Sequence, residues 1–98
     1  GGDAAAFVRA QFAAIPTQYE VEVILHAAAA DLDQAAARWG KIEAIDDTSC
    51  RLRMSVDTFD WPTLLLTALE VDFDVVGPPE FRDYLRATGE RFLRARQR

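Results

Sequence analysis

The chain has 98 residues, half of them hydrophobic, with 11 basic and 16 acidic side chains and a formal charge of −5. That is enough for one domain with a modest core, and domains of this size are only marginally stable alone. The acidic balance argues against broad binding of a nucleic-acid backbone, which needs a basic face. Cys50 is the single cysteine, which leaves no internal disulfide and no cysteine cluster for a metal and fits a reducing cytoplasm.

No stretch is long and apolar enough to span a bilayer, and Gly1-Gly2-Asp3 is not the start of a signal peptide. The only methionine is Met54, so the chain reads as a fragment of a longer cytoplasmic protein, with tag residue at its front. Its charge is segregated. Residues 1–79 hold five Lys or Arg against thirteen Asp or Glu, whereas residues 80–98 hold six Arg against three acids.

Asp3 is a suitable N-cap for a first, Ala-rich helix that carries Phe7, Val8 and Phe12 and ends at Pro16. From Tyr19 to His26 apolar and polar residues alternate, the pattern of a half-buried strand with Tyr19, Val21, Val23 and Leu25 inward. Ala27 to Trp39 reads as a helix with Leu32, Ala35, Ala36 and Trp39 on one side and Gly40 as its C′ residue. Lys41–Ile45 and Cys50–Val56 are strands joined by the turn cluster Asp46-Asp47-Thr48, with Leu52, Met54 and Val56 alternating against Arg51, Arg53 and Ser55. Thr58 or Asp60 caps the next helix, Pro62 lies in its first turn, and Trp61, Leu64, Leu65, Ala68 and Leu69 follow the helical period. Val71–Val76 is a fourth strand with Val71, Phe73 and Val75 inward, broken by Gly77-Pro78-Pro79. The last helix starts near Pro79 and packs through Phe81, Tyr84, Leu85, Thr88 and Phe92.

The order β-α-β-β-α-β between two flanking helices is that of a split βαβ, or ferredoxin-like, α+β fold. Its usual strand order is 4-1-3-2, with helices on one face and the other face open. The open face then carries Glu20, Glu22, Ile24 and His26 beside Arg51, Arg53 and Ser55, flanked by Glu43 and Ile45 on one side and Asp72 and Asp74 on the other. Two readings fit. One is a ladder of weak cross-strand ion pairs; the other is a docking face whose arginines contact a ligand or a neighbouring domain.

The remaining residue types point away from chemistry. His26 is the only histidine, without the partners a metal site or nucleophile relay needs, so a structural or surface role is expected. Cys50 is expected as a buried inert thiol. Trp39 and Trp61 are expected in the core, while an exposed Trp61 near its helix start would signal an interface anchor. The carboxylate pairs Asp46-Asp47, Asp31 with Asp33, and Asp72 with Asp74 come with no acid–base set, and no Gly-rich phosphate loop is present. Neither an enzyme, a metal nor a cofactor is expected. The arginines of the last helix read as a solvated face complementing its C-terminal end rather than as a nucleic-acid stripe.

Several phrases together carry a resemblance. Asp3-Ala4-Ala5-Ala6-Phe7-Val8 leads through a proline to a strand ending Leu25-His26-Ala27. Ile42-Glu43-Ala44-Ile45-Asp46-Asp47 precedes Thr48-Ser49-Cys50-Arg51-Leu52-Arg53, Phe59-Asp60-Trp61 opens a Leu-rich helix, and Val71-Asp72-Phe73-Asp74-Val75 runs into Pro78-Pro79-Glu80-Phe81. In this order they resemble the C-terminal extension (WCX) of WYL-domain transcriptional regulators, in the actinobacterial group often called DeoR-like. The resemblance implies an N-terminal winged helix-turn-helix that binds DNA, a ligand-sensing WYL domain, and this ferredoxin-like extension at residues 17–98, with residues 1–16 as the linker helix. It implies a homodimer and a nucleotide or single-stranded DNA as the class of effector, with no membrane partner. From the residues, the ligand or interface candidates are Arg51, Arg53, His26 and Trp61, and the resemblance strengthens the two arginines as contact residues. Relatives often carry Gly where this chain has Glu70, so the turn before Val71 is expected to lose its glycine cap. A free-standing small-ligand sensor on the same sheet is the alternative.

Overall fold

A computed structural model of the chain describes residues 19–32 and 34–98. The expected linker helix, Asp33 and the side chain of Ala35 lie outside what it describes. The alternating segment at the start forms strand β1 (Tyr19–Leu25), with Val21, Val23 and Leu25 fully buried and Tyr19 half-buried. β1 pairs antiparallel with β3 (Ser49–Val56) from Tyr19↔Val56 to Leu25↔Cys50. Strand β2 (Lys41–Asp46) flanks β3, and β4 (Phe73–Gly77) flanks β1, both antiparallel. The order β2-β3-β1-β4 is the 4-1-3-2 order of the ferredoxin-like arrangement read from its other edge.

The inner face is built from the alternate residues of the two central strands. Val21, Val23 and Leu25 lie beside Cys50, Leu52, Met54 and Val56, covered by Leu66 of helix α2 (Asp60–Leu69) and Phe81 of helix α3 (Pro79–Leu93). Phe59 closes one end, with its ring 4.7 Å from that of Tyr19 and 5.3 Å from that of Phe81. Each such side chain stabilises by roughly 1.5–3 kcal/mol when fully buried. The β2–β3 turn is held by one carboxylate. Asp46 Oδ1 accepts the Thr48 N–H at 2.8 Å and the Thr48 and Ser49 hydroxyls at 3.0 and 2.9 Å. The Thr48 N–H first, then the Ser49 hydroxyl, lowers the Asp46 pKa, as hydrogen bonds to the charged form do.

Four local expectations change. The helix expected over 27–39 is a 3₁₀ turn (Ala29–Asp31) followed by a six-residue helix, α1 (Gln34–Trp39). Ala28 and Leu32 are extended on either side of the turn. Four consecutive alanines have helix propensity but little apolar surface to hold a helix against a sheet. The fourth strand begins at Phe73 rather than Val71, although Val71 still packs on the core. In α2, Pro62 and Leu66 face the core whereas Leu64 is 69% exposed and Ala68 is exposed. In α3, Phe81 and Thr88 are buried but Phe92 is 70% exposed, so the packed part of the helix ends near Thr88.

Two corners depend on one residue each. Gly40 does not adopt positive φ, so it is not a left-handed cap. It is required by close approach: a Cβ there would lie 2.5 Å from the Arg53 carbonyl oxygen and 2.7 Å from Met54 Cγ. Glu70 does adopt the left-handed conformation, φ 55° and ψ 37°, after α2. The turn keeps the shape that a glycine favours, with a side chain on it.

Two stability changes of opposite sign follow. Gly40→Ala forces a methyl group into backbone and is expected to cost about 2 kcal/mol. Glu70→Gly removes the left-handed penalty and is expected to gain about 0.5–1 kcal/mol. Urea melts of the two variants check both; a neutral Gly40→Ala or a destabilising Glu70→Gly would contradict these packing and backbone assignments.

Candidate functional site

The outward alternation of β1 and β3 builds the open face. Four neighbouring positions form its centre: Glu22 opposite Arg53, and Ile24 opposite Arg51. Glu22 lies between the two arginines. Its Oε1 accepts from Arg53 Nε at 3.0 Å, and its Oε2 lies 3.6 Å from Arg51 Nε. The second distance is too long for a hydrogen bond, and Arg51 Nε is buried with no acceptor among the described residues. Two guanidiniums thus share one half-buried carboxylate, and one positive charge is left in excess.

The rest of the face is arranged around that triad. Toward one end of the strands, the Ser55 hydroxyl donates to Glu20 Oε2 at 2.7 Å. Near the other end, His26 Nε2 meets Asp74 Oδ2 at 3.0 Å across the β1–β4 boundary, and the His26 N–H donates to the Asp72 carbonyl at 2.9 Å. Lys41 and Glu43 of β2 are in register with Arg53 and Arg51. The structure therefore brings Arg51, Arg53 and His26 onto one face, with His26 paired to Asp74.

Trp61 is elsewhere. It lies on the helical side, half-buried against the core, with its ring 5.6 Å from that of Trp39. Trp39 was expected in the core and is instead 56% exposed. The two rings, with Leu64, Leu65 and Ala68, line an apolar groove of about 230 Å³. Sequence reasoning missed this groove. Its signal is a helix apolar on almost every side, Trp61-Pro62-Thr63-Leu64-Leu65-Leu66, which cannot bury all of its faces against one sheet. At the start of that helix Asp60 Oδ1 accepts from the Thr58 hydroxyl and from the Trp61 N–H, and these bonds lower the Asp60 pKa.

Cys50 is fully buried, and desolvation raises its thiol pKa, which keeps it protonated and a poor nucleophile. Among the described residues, no three His, Cys, Asp or Glu side chains converge as a metal site requires. No helix among them is long and apolar enough to cross a membrane.

The ladder is expected to contribute little to the fold. Arg53 is well exposed, and exposed pairs are worth about 0.2–1 kcal/mol. A double-mutant cycle with Glu22→Gln and Arg53→Gln is expected to give a coupling below about 1 kcal/mol that falls as salt rises. A coupling of several kcal/mol would make the triad a structural element of the domain.

Comparison with known proteins supplies the family. The family model of the WCX domain matches residues 17–93, which takes in all four strands and the three helices. No curated protein and no solved structure matches the chain. The chain belongs to the WCX domain family, the C-terminal extension of WYL-type regulators.

Proposed function

We propose that this domain is the regulatory and dimerisation part of a bacterial WYL-type transcriptional regulator, acting without catalysis in the cytoplasm. The observation that carries the reading is the WCX match over residues 17–93. In the proposed regulator, DNA is read by an N-terminal helix-turn-helix, and this domain supports homodimer assembly and the response to an effector. Its charge agrees with that division of labour: a formal charge of −5 over the whole chain disfavours the phosphate backbone of duplex DNA at long range.

The open face is the proposed contact surface. Arg51 and Arg53 both approach Glu22 through Nε. An arginine engaged at Nε keeps further N–H donors on its terminal nitrogens, suited to a phosphate or carboxylate fork. His26 and Trp61 stand apart from this pair, one bound to Asp74 and the other on the helical side.

Two measurements test the reading. In gel shifts the 98-residue chain is expected to show no sequence-specific retention of duplex DNA; a specific complex would overturn the assignment. In the full-length regulator, Arg51→Ala with Arg53→Ala is expected to leave the fold intact and to abolish the response to short single-stranded DNA. An unchanged response would return both arginines to the ion-pair ladder.

A further inference from the structure

The charges of the open sheet face are divided along the β1–β3 seam. On the β2–β3 side stand Lys41, Arg51 and Arg53 against the carboxylates Glu43 and Asp46, the latter held at the turn by Thr48 and Ser49. On the β1–β4 side stand Glu20, Glu22 and Asp74, with His26 the one basic side chain. The residues that carry this division are solvent-accessible: Glu20, Lys41, Arg53 and Asp74 are all exposed. Near the centre of the face lies the half-buried Ile24, in register with Arg51 on one side and Asp74 on the other.

We infer that this face docks on the same face of a second copy of the chain, about a two-fold axis running along the strands between β1 and β3. The axis is selected by the charges. A two-fold along the strands places each β2–β3 half over the partner's β1–β4 half, so that cations meet carboxylates twice. A two-fold across the strands would place β3 over β3 and set Arg51 and Arg53 against their own copies. An isologous interface needs this self-complementarity, and opposed potentials of this kind favour one partner and one register. The excess guanidinium charge around Glu22 gives the partner's carboxylates a target. The inference rests on the homodimer reading above and names the surface that forms the contact.

A charge-swap experiment on the 98-residue chain tests it by sedimentation equilibrium, with circular dichroism to confirm that each variant is folded. One variant, Lys41→Glu with Arg53→Glu, makes the β2–β3 half net acidic. The other, Glu20→Lys with Asp74→Lys, makes the opposite half basic. Both change exposed positions and leave Glu22 and Arg51 in place. The wild-type chain is expected to form a dimer that weakens with salt. Each variant alone is expected to self-associate about tenfold less tightly or worse, and an equimolar mixture is expected to recover a heterodimer. Variants that dimerise as tightly as the wild type, or a mixture that stays monomeric, would overturn the proposal, and so would a monomeric wild-type chain. The homodimer reading is judged separately, by the mass of the full-length regulator with and without this domain. A full-length dimer that persists in both charge-swap variants but is lost on removing the domain keeps that reading and rejects this surface.

Discussion

The pairing of β1 with β3, from Tyr19↔Val56 to Leu25↔Cys50, is the constraint on which the other features depend. Side chains alternate across a strand, so a slip of one residue exchanges the two faces of the sheet completely. Such a slip would turn Val21, Val23 and Leu25 to solvent and drive Glu20 and Glu22 into the core. The unpaired carboxylates alone would cost several kcal/mol. The register is thus specified from both sides, by apolar contact within and by charge without. The outer edges are less tightly specified, since both β1–β4 and β2–β3 contain a register shift.

This alternation is also why so much was legible in the sequence. β1 and β3 interleave apolar residues with charged ones, and that pattern has no other compact solution. Once their faces are known, the strand order brings Arg51 and Arg53 together on Glu22. The contact between His26 and Asp74, 48 residues apart, is legible only through the fold, because nothing local links them. The helices were harder to read for a different reason. Around α2 nearly every residue from Trp61 to Leu66 is apolar, so periodicity cannot choose between Leu64 and Leu66; contact with the sheet chooses Leu66. Ala27–Ala30 shows the reverse failure, in which local propensity is overridden for want of side chains to bury. Gly40 looks like a helix cap in sequence, yet the reason for it lies on a neighbouring strand, in the Arg53 carbonyl.

The triad on the open face is poorly designed as a stabilising device. A ladder selected for stability would give each guanidinium its own carboxylate, but here Glu22 serves two and holds a hydrogen bond to only one. Exposed ion pairs return little in any case, because water and salt screen them. The nine buried residues that cluster among those described supply folding free energy without the triad. Side chains that the fold does not need are free to serve an encounter surface, and the division of charge across the seam gives that surface a direction.

A small domain with one thin core gains more than specificity from being covered. Anything that binds the folded form and not the unfolded one adds stability by mass action, about 2.7 kcal/mol when the partner is at a hundred times its dissociation constant. Against a total stability of order 5–15 kcal/mol that is a large increment for one surface. Pairing the open faces as proposed would therefore tie folding of the extension to assembly of the regulator. Salt, which weakens contacts between exposed charges most, would then lower the assembled domain's stability while leaving the apolar side of the same sheet unchanged. Cations and acids on opposite sides of one seam thus give association and stability the same electrostatic origin, whereas the core beneath responds to temperature and denaturant through the area it buries.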